Sequence, residues 1–149
     1  MRGVVQRVKS ASVSVDDKVI SKIDKGIMLL LGIEVNDDEK DLEYIVKKVS
    51  KLRIFDDEEG VMNKSLLDYD LEILVVSQFT LYGDARKGNR PSYIRSAKFD
   101  EGIILYEKFI EEMKNLGIKV SVGEYGADMD VELINDGPVT ILLDSSKEF

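Results

Sequence analysis

Apolar and polar residues alternate through the first part of the chain, and Ala11, Val13 and Val15 fall on one face of that pattern. Alternation with a period of two residues is typical of a strand that is buried on one face only. A polar sequence, Asp16–Lys18, separates this run from a second alternating run at Val19–Ile23. The opening of the chain therefore predicts two antiparallel strands joined by a turn.

Two later segments are apolar on both faces. Residues 27–34 read IMLLLGIE, and residues 72–81 read EILVVSQFTL. Continuous apolar runs of this length predict strands in the centre of a sheet. The second run leads directly into the basic, glycine-containing sequence YGDARKGNRPSY at 82–93. Functional loops commonly follow a strand in this way.

Helical periodicity occurs twice. In the first segment, which has Asp37 or Asp38 as its N-cap, apolar residues recur at intervals of three and four: Leu42, Ile45, Val46, Val49 and Leu52. The second segment runs from Asp100 to Leu116 and stops at Gly117, a residue type that commonly follows the end of a helix. The sequence therefore predicts two amphipathic helices.

The last part of the chain contains three strand-like segments, at 118–124, 129–135 and 139–145. The sequence NDGPVT at 135–140 joins the second of these segments to the third. Proline cannot donate to a sheet ladder, so Gly137-Pro138 by itself predicts a tight turn between strands. Strands grouped around two helices favour an α+β fold with largely antiparallel or mixed sheets over a doubly wound parallel fold. Residues 1–149 are predicted to form a single domain.

The composition excludes several kinds of chemistry. The chain contains no cysteine and no histidine. Disulfides, thiolate catalysis, sulfur-ligated metal sites and any Ser-His-Asp or Cys-His mechanism are thereby ruled out. No dinucleotide-binding glycine fingerprint or phosphate-binding loop is present. An enzyme of this composition has to use carboxylates, lysine, hydroxyls, backbone dipoles or a group of the substrate, and no metal or cofactor is expected.

The net charge of −8 argues against broad, nonspecific binding of nucleic acid. Residues 83–98, which we call the basic loop, carry five bases against Asp84 alone, so this segment is +4 and the rest of the chain −12. The longest apolar run, at 26–33, is far shorter than the roughly 20 residues that a membrane helix needs. A cytoplasmic location is therefore expected.

Three hydroxyl side chains are candidate catalytic groups. Ser77, Thr80 and Thr140 each lie at the end of an apolar strand, where packing alone would not select a polar residue. Taken one at a time, each is more commonly a cap or a turn residue, and both interpretations stay open at this point. Adjacent acids such as those at 56–59 are typical of solvated turns and carry no comparable information.

Several of these segments together resemble the D-aminoacyl-tRNA deacylase family in order and spacing: MRGVVQRV, VVSQFTLYGD, KGNRPSY and GEYGADMDVELINDGPVT. The most specific are Ser-Gln-x-x-Leu at 77–81 and Asn-x-Gly-Pro-x-Thr at 135–140, and the resemblance covers essentially the whole chain. Gly83, Tyr93 and Tyr125 stand where Ala, Phe and Phe are common in that family. The two tyrosines keep the aromatic ring and add a hydroxyl.

The resemblance implies hydrolysis of the ester that joins a D-amino acid to the terminal adenosine of tRNA, and also of glycine mischarged on tRNA-Ala. Carried onto this sequence, four residues would surround the ester and the adenosine: Ser77, Gln78, Phe79 and Thr80. Backbone N–H groups near Phe79 and Thr80 would stabilise the oxyanion. The neighbouring 2′-hydroxyl of the RNA would assist the attack, which fits a chain without histidine.

A homodimer of ββα-layered subunits is also what the resemblance implies. The Gly137-Pro138 peptide would be cis and would reach into the active site of the partner subunit, where its carbonyls face the amino group and Cα of the substrate. That arrangement would leave no room for the side chain of an L-amino acid. The resemblance assigns Met129 and Thr140, together with these two residues, to substrate binding and chiral selectivity.

The basic loop supplies the predicted RNA contacts, because an acidic protein needs a local positive patch to bind a polyanion. Arg86, Lys87 and Arg90 are expected to contact tRNA phosphates. A non-catalytic module that holds RNA 3′ ends, or a purely structural dimer of the same fold, is an alternative that composition does not separate from an enzyme. Turnover of D-Tyr-tRNA and L-Tyr-tRNA distinguishes these possibilities.

Overall fold

The computed structural model describes all residues from Met1 to Phe149. The strands, in chain order, are β1 Arg2–Val15, β2 Lys18–Ile23, β3 Gly26–Gly32, β4 Phe55–Asp56, β5 Met62–Lys64, β6 Glu72–Ser77, β7 Lys119–Val122 and β8 Asp130–Asp144. The helices are α1 Glu39–Lys51, α2 Leu66–Tyr69 and α3 Phe99–Asn115. A short 3₁₀ turn at Phe79–Tyr82, which we call the cavity turn, follows β6.

Six of the strands form one mixed sheet in the order β2-β1-β3-β6-β7, and β8 pairs with β1. Strand β1 is antiparallel to β2, β3 and β8, whereas β3–β6 and β6–β7 are parallel pairs. The hydroxyl of Ser21 in β2 donates to the carbonyl of Val122 in β7, so the curved sheet is nearly closed into a barrel. The prediction of an α+β fold with mixed sheets is confirmed.

Strand β3 shows why its segment is apolar on both faces. Ile27, Leu29 and Leu31 belong to the larger core cluster, which the helices cover, whereas Met28 belongs to a second cluster on the opposite face of the sheet. Strand β6 is buried in the same way. Because both faces of these neighbouring parallel strands are covered, their ends are held by the core itself.

Both predicted amphipathic helices are present. Asp38 caps α1, because its carboxylate accepts from the N–H groups of Lys40 and Asp41. Helix α3 ends at Asn115, and Gly117 follows in a left-handed conformation with φ +83°. Their apolar faces pack on the sheet and on each other. None of the three helices has the length and apolar composition needed to span a membrane.

Two predictions about the strands were wrong in detail, and two small elements were missed. The strand expected at 72–81 ends at Ser77, since the chain leaves the sheet and forms the cavity turn. The segments expected at 129–135 and 139–145 are one strand, β8, so Gly137-Pro138 makes no reversal of the chain. The small β4–β5 hairpin and the single-turn helix α2 were not predicted.

Candidate active site

A cavity of about 480 Å³ opens at the carboxyl ends of the parallel strands β3 and β6. Such ends are the common ligand sites of sheets with parallel strands. Most of the lining residues are hydrophobic, and four of the predicted site residues are among them: Ser77, Gln78, Phe79 and Met129. The structure therefore brings the Ser-Gln-Phe sequence and Met129 together, while Thr80 lies just outside the lining.

The cavity turn is fixed mainly through its main chain. The N–H of Gln78 donates to the carbonyl of Leu31 (2.9 Å), which extends the β3–β6 pairing by one residue. The hydroxyl of Ser96 donates to the carbonyl of Phe79 (2.9 Å). The N–H of Leu81 is the first to bond within the turn, to the carbonyl of Gln78 (3.4 Å). The N–H groups of Phe79 and Thr80 accordingly have no partner within the turn.

Aromatic rings line and border the cavity. Phe79 and Tyr93 make an edge-to-face contact with ring centres 5.1 Å apart, and Phe99 and Tyr125 make another at 5.2 Å. Phe79 and Phe99 are each more than half exposed (57% and 53%). Exposed aromatic faces beside an apolar cavity suit a flat ring such as a nucleobase.

Tyr125 explains a glycine near the start of helix α3. A Cβ on Gly102 would lie 2.2 Å from the hydroxyl oxygen of Tyr125, so no larger residue fits while that hydroxyl is in place. Burial raises the pKa of Tyr125, which therefore stays a neutral hydroxyl in the cavity wall at neutral pH. Gly102 gave no recognisable signal in the sequence, where it is only a weak helix former.

The Gly-Pro segment, residues 136–139, leaves the ladder between β1 and β8. Gln6 pairs with Thr140 and Val8 with Asn135, so Arg7 alone stands opposite these four residues. The Gly137-Pro138 peptide is cis, as the resemblance implied, and both residues are exposed.

Polar side chains, rather than a ladder, hold the Gly-Pro segment. The side-chain carbonyl of Asn135 accepts from the N–H of Val139 (2.8 Å), and its amide donates to the hydroxyl of Thr140 (3.1 Å). Gln6 donates to the same hydroxyl (3.3 Å). The first and last residues of the Asn-x-Gly-Pro-x-Thr sequence thus close the segment on itself, and Thr140 has a structural role in this chain.

Arg7 is a site residue that the sequence analysis missed. Its guanidinium donates to the carbonyl of Asp136 (3.0 Å), the carbonyl of Ile54 (2.7 Å) and the carboxylate of Asp56 (3.3 Å). The residue is only 8% exposed. The sequence did contain one indication of this role. Arg7 lies two residues after Val5 in an alternating strand, so it falls on the same, inward-facing side as that apolar residue. Arg7 therefore braces the Gly-Pro segment from the protein side.

The structure does not bring the Gly-Pro segment to the cavity of its own chain. Val131, near the start of β8, lines the cavity, but Gly137 is six residues further along the strand. At about 3.3 Å per residue that separation is roughly 20 Å. Gly137, Pro138 and Thr140 are absent from the cavity lining. The predicted site residues thus fall into two groups within one subunit.

The basic loop is partly neutralised by its own contacts. Arg86 pairs with Asp84 (2.6 Å), and its hydrogen bonds hold the pKa of that carboxyl well below its usual range. Arg95 pairs with Glu34 (2.5 Å) and with Glu148 (2.7 Å). Lys87 and Arg90 are exposed and make no ion pair within the chain. These two cations are therefore the freest of the predicted RNA contacts.

No group of three or more acidic side chains is arranged to hold a metal ion. The polar groups that the cavity offers are the main-chain N–H groups of its turn, the hydroxyls of Ser77 and Tyr125, the amide of Gln78 and the exposed carboxylate of Asp128. Gln78 donates its side-chain amide to the hydroxyl of Thr80, so these two side chains are already paired.

Comparison with known proteins matches these features to one family. The family model described as D-Tyr-tRNA(Tyr) deacylase matches residues 4–144. Proteins named D-aminoacyl-tRNA deacylase from Thermosipho africanus and Thermosipho melanesiensis are 56% and 59% identical, over 100% of each chain. A solved structure titled c-Myc DNA Unwinding Element Binding Protein is 42% identical, with a TM-score of 0.91 over 97% of this chain and 98% of that one. The chain belongs to the D-Tyr-tRNA(Tyr) deacylase family, whose members are named for hydrolysis of the ester bond in aminoacyl-tRNA.

Proposed function

We propose that the protein hydrolyses the ester bond of D-aminoacyl-tRNA and releases the free amino acid and tRNA. The observation that carries this proposal is the cavity turn, which borders an apolar cavity and presents the N–H groups of Phe79 and Thr80 without partners in the turn. Membership of the family supports the same reaction.

The chemistry follows from those two donors. Water adds to the ester carbonyl, and the oxygen that becomes negative accepts hydrogen bonds from the N–H groups of Phe79 and Thr80. One such donor contributes roughly 3 kcal/mol to transition-state stabilisation. The ribose oxygen then leaves and takes up a proton. Because the chain has no histidine, the free hydroxyl of the terminal ribose is the group proposed to direct the water.

We further propose that the active site is completed in a homodimer by the Gly-Pro segment of the partner subunit. Two features support this: the segment projects from the sheet with Gly137 and Pro138 exposed, and it lies far from the cavity of its own chain. Its backbone carbonyls are suited to accept from the amino group of the substrate. Met129 lies in the cavity wall and would limit the space around the substrate side chain.

This arrangement determines which esters are accepted. A stiff main-chain segment against the Cα of the substrate leaves room for a side chain of one chirality only, so L-aminoacyl esters are rejected by exclusion. A glycyl ester has no side chain to exclude. The same site is therefore expected to hydrolyse glycine mischarged on tRNA-Ala.

The basic loop is proposed to contact tRNA phosphates through Lys87 and Arg90, with Arg86 contributing less because Asp84 neutralises it. Phosphate contacts of this kind position the RNA without reading its sequence.

The decisive experiment is single-turnover hydrolysis of D-Tyr-tRNA and L-Tyr-tRNA by the purified protein, with glycyl-tRNA-Ala as a third substrate. Loss of the D-ester and the glycyl ester, with the L-ester stable, is the expected result. Binding of tRNA without hydrolysis of any ester would instead indicate the non-catalytic RNA-binding module. The structural relative titled a DNA-element binding protein makes such a binding role worth measuring in the same preparation.

A further inference from the structure

Two arginines converge on one carboxylate beside the cavity turn. Both terminal nitrogens of Arg95 donate to the two carboxylate oxygens of Glu148 (2.9 and 2.7 Å), and Arg2 donates to one of those oxygens (2.5 Å). The two guanidinium carbons lie 4.6 Å (Arg2) and 5.5 Å (Arg95) from the ring centre of the buried Tyr82. We call Arg2 and Arg95 the arginine clamp.

The arginine clamp is tied directly to the proposed catalytic turn. Arg2 donates to the carbonyl of Leu81 (3.0 Å), a residue of the turn. Ser96, the neighbour of Arg95, donates to the carbonyl of Phe79 (2.9 Å). An anion held by the clamp would therefore lie beside the cavity turn, which also borders the position proposed for the ester.

Groups other than Glu148 also hold the clamp. Glu34 pairs with the Nε of Arg95 (2.5 Å), and Asp144 lies 3.5 Å from the Nε of Arg2. The ring of the buried Tyr82, which is 2% exposed, packs against both guanidinium groups. The donors that now face Glu148 are thus fixed by groups on their other sides.

The donor set is suited to a phosphate. A guanidinium presents parallel N–H groups that match two oxygens of a carboxylate or of a phosphate equally well, and a second guanidinium adds a further donor. We propose that the arginine clamp binds a phosphodiester near the 3′ end of the substrate RNA, and that Glu148 occupies the clamp until RNA displaces it. This inference rests on the proposed function, because it takes the cavity to hold the terminal nucleotide.

Glu148 is well placed to be displaced. Its side chain is 43% exposed, and it belongs to the few residues that follow β8. Hydrogen bonds from Arg95 lower the pKa of Glu148, so its side chain is a carboxylate anion at neutral pH. It therefore competes with the phosphate anion of the RNA for the same arginine donors. The exchange leaves the charge on the arginines balanced throughout.

The test measures binding of uncharged tRNA, so that it does not depend on ester hydrolysis. Glu148→Gln removes the competing charge, and we expect the dissociation constant to fall about 3- to 10-fold at moderate salt, because the phosphate no longer has to displace a carboxylate from the clamp. Glu111→Gln is the matched control, because it makes the same charge change on the exposed face of α3. The control should shift binding by less than about 2-fold, since exposed charges far apart are screened.

A double-mutant cycle assigns the effect to the clamp. In an Arg95→Ala background, Glu148→Gln should tighten binding much less than it does in wild type, because only Arg2 of the clamp still faces Glu148. The slope of log K against log salt should decrease by about one relative to wild type. Arg95→Lys keeps the charge and should recover part of the affinity, and circular dichroism checks the fold of each variant. Inorganic phosphate at millimolar concentration should compete only weakly, because the RNA is held by further contacts.

The inference is overturned if Glu148→Gln binds tRNA no more tightly than Glu111→Gln, or if the effect of Glu148→Gln is just as large without Arg95. Strong competition by free phosphate would also overturn it in favour of a small-anion site. Hydrolysis of D-Tyr-tRNA by wild-type protein with no Glu148 effect defeats only the clamp. A Glu148 effect in a protein that hydrolyses no ester defeats only the proposed function.

Discussion

The cavity turn and the Gly-Pro segment are both irregular departures from the sheet, but they are held in different ways. The cavity turn follows a strand that is buried on both faces, and its position depends on main-chain bonds such as that from Gln78 to Leu31. The Gly-Pro segment interrupts an edge strand and depends on the side chains of Arg7, Asn135 and Thr140. Single substitutions should therefore damage the second region far more than the first.

The largest effect is expected from Gly137→Ala. Gly137 has φ +134°, and an added Cβ would lie 2.8 Å from the side chain of Val139 and 3.1 Å from that of Arg7. The segment has to shift to relieve these contacts. A displacement of about 1 Å at a proposed contact with substrate should lower kcat/KM for D-Tyr-tRNA by roughly 100-fold.

Gly60→Ala is the matched control for this change. Gly60 also has positive φ, at +77°, but an added Cβ has no atom within 4 Å. Both variants carry backbone strain, and only one lies in the proposed site. Equal loss of activity in the two variants, or full activity and unchanged D-preference in Gly137→Ala, would show that the segment does not act at the cavity.

The next largest effect is expected from Arg7→Lys, which keeps the charge but loses the forked donors. Loss of one charged hydrogen bond to Asp136 or Ile54 costs about 2 kcal/mol. If the segment acts on the transition state, that loss corresponds to about 30-fold in kcat/KM. Kinetics on D-Tyr-tRNA and urea unfolding, measured together, separate loss of positioning from loss of fold.

Arg53→Lys provides the comparison for Arg7→Lys. Arg53 also donates to a main-chain carbonyl, that of Asn63 (2.9 Å), but at an exposed position. We expect it to change activity by less than about 2-fold, since a surface hydrogen bond is readily replaced by water. A similar loss in both variants would mean that Arg7 acts only on general stability.

The same contrast explains what the sequence could and could not predict. Helices α1 and α3 and the buried strands depend on local periodicity, and the pattern of apolar residues was enough to predict them. The pairing of Arg7 with Asp136 joins residues 129 positions apart. It depends on β8 lying beside β1, which no local pattern specifies.

The candidate site was predictable only to the same extent. Ser77 was singled out by its position at the end of a strand, and Gln78, Phe79 and Met129 by resemblance. The structure places all four in the lining of one cavity. The sequence could not show that strand β6 stops at Ser77, because the residues that follow it alternate between polar and apolar as a strand does. Gly102 was uninformative for a similar reason, since its cause is a hydroxyl that packs against it from elsewhere in the chain.

A smaller effect is expected from side-chain truncation in the first region. Ser77→Ala and Thr80→Ala leave the main-chain donors of the cavity turn in place, and Thr80 loses only its contact with Gln78. Removal of one neutral hydrogen bond costs about 1 kcal/mol, so kcat should fall by less than about 10-fold. A loss of 1,000-fold in Thr80→Ala with intact fold would contradict main-chain stabilisation and indicate a covalent role for that hydroxyl.

The smallest effect on selectivity is expected from the basic loop, which belongs to neither region. Lys87→Ala and Arg90→Ala each remove an unpaired exposed cation, so KM should rise by about 3-fold and the salt dependence of binding should weaken by about one phosphate contact each. Arg86→Ala should change KM less, because Asp84 already neutralises this arginine. The ratio of D-Tyr-tRNA to L-Tyr-tRNA hydrolysis should stay constant in all three variants, since phosphate contacts position the RNA and do not touch the amino acid.

A larger effect of Arg86→Ala than of Lys87→Ala would mean that RNA breaks the Asp84–Arg86 pair on binding. A changed D/L ratio would mean that the basic loop transmits its position to the cavity turn, to which it is joined in sequence, and the separation between the two regions would then be incomplete.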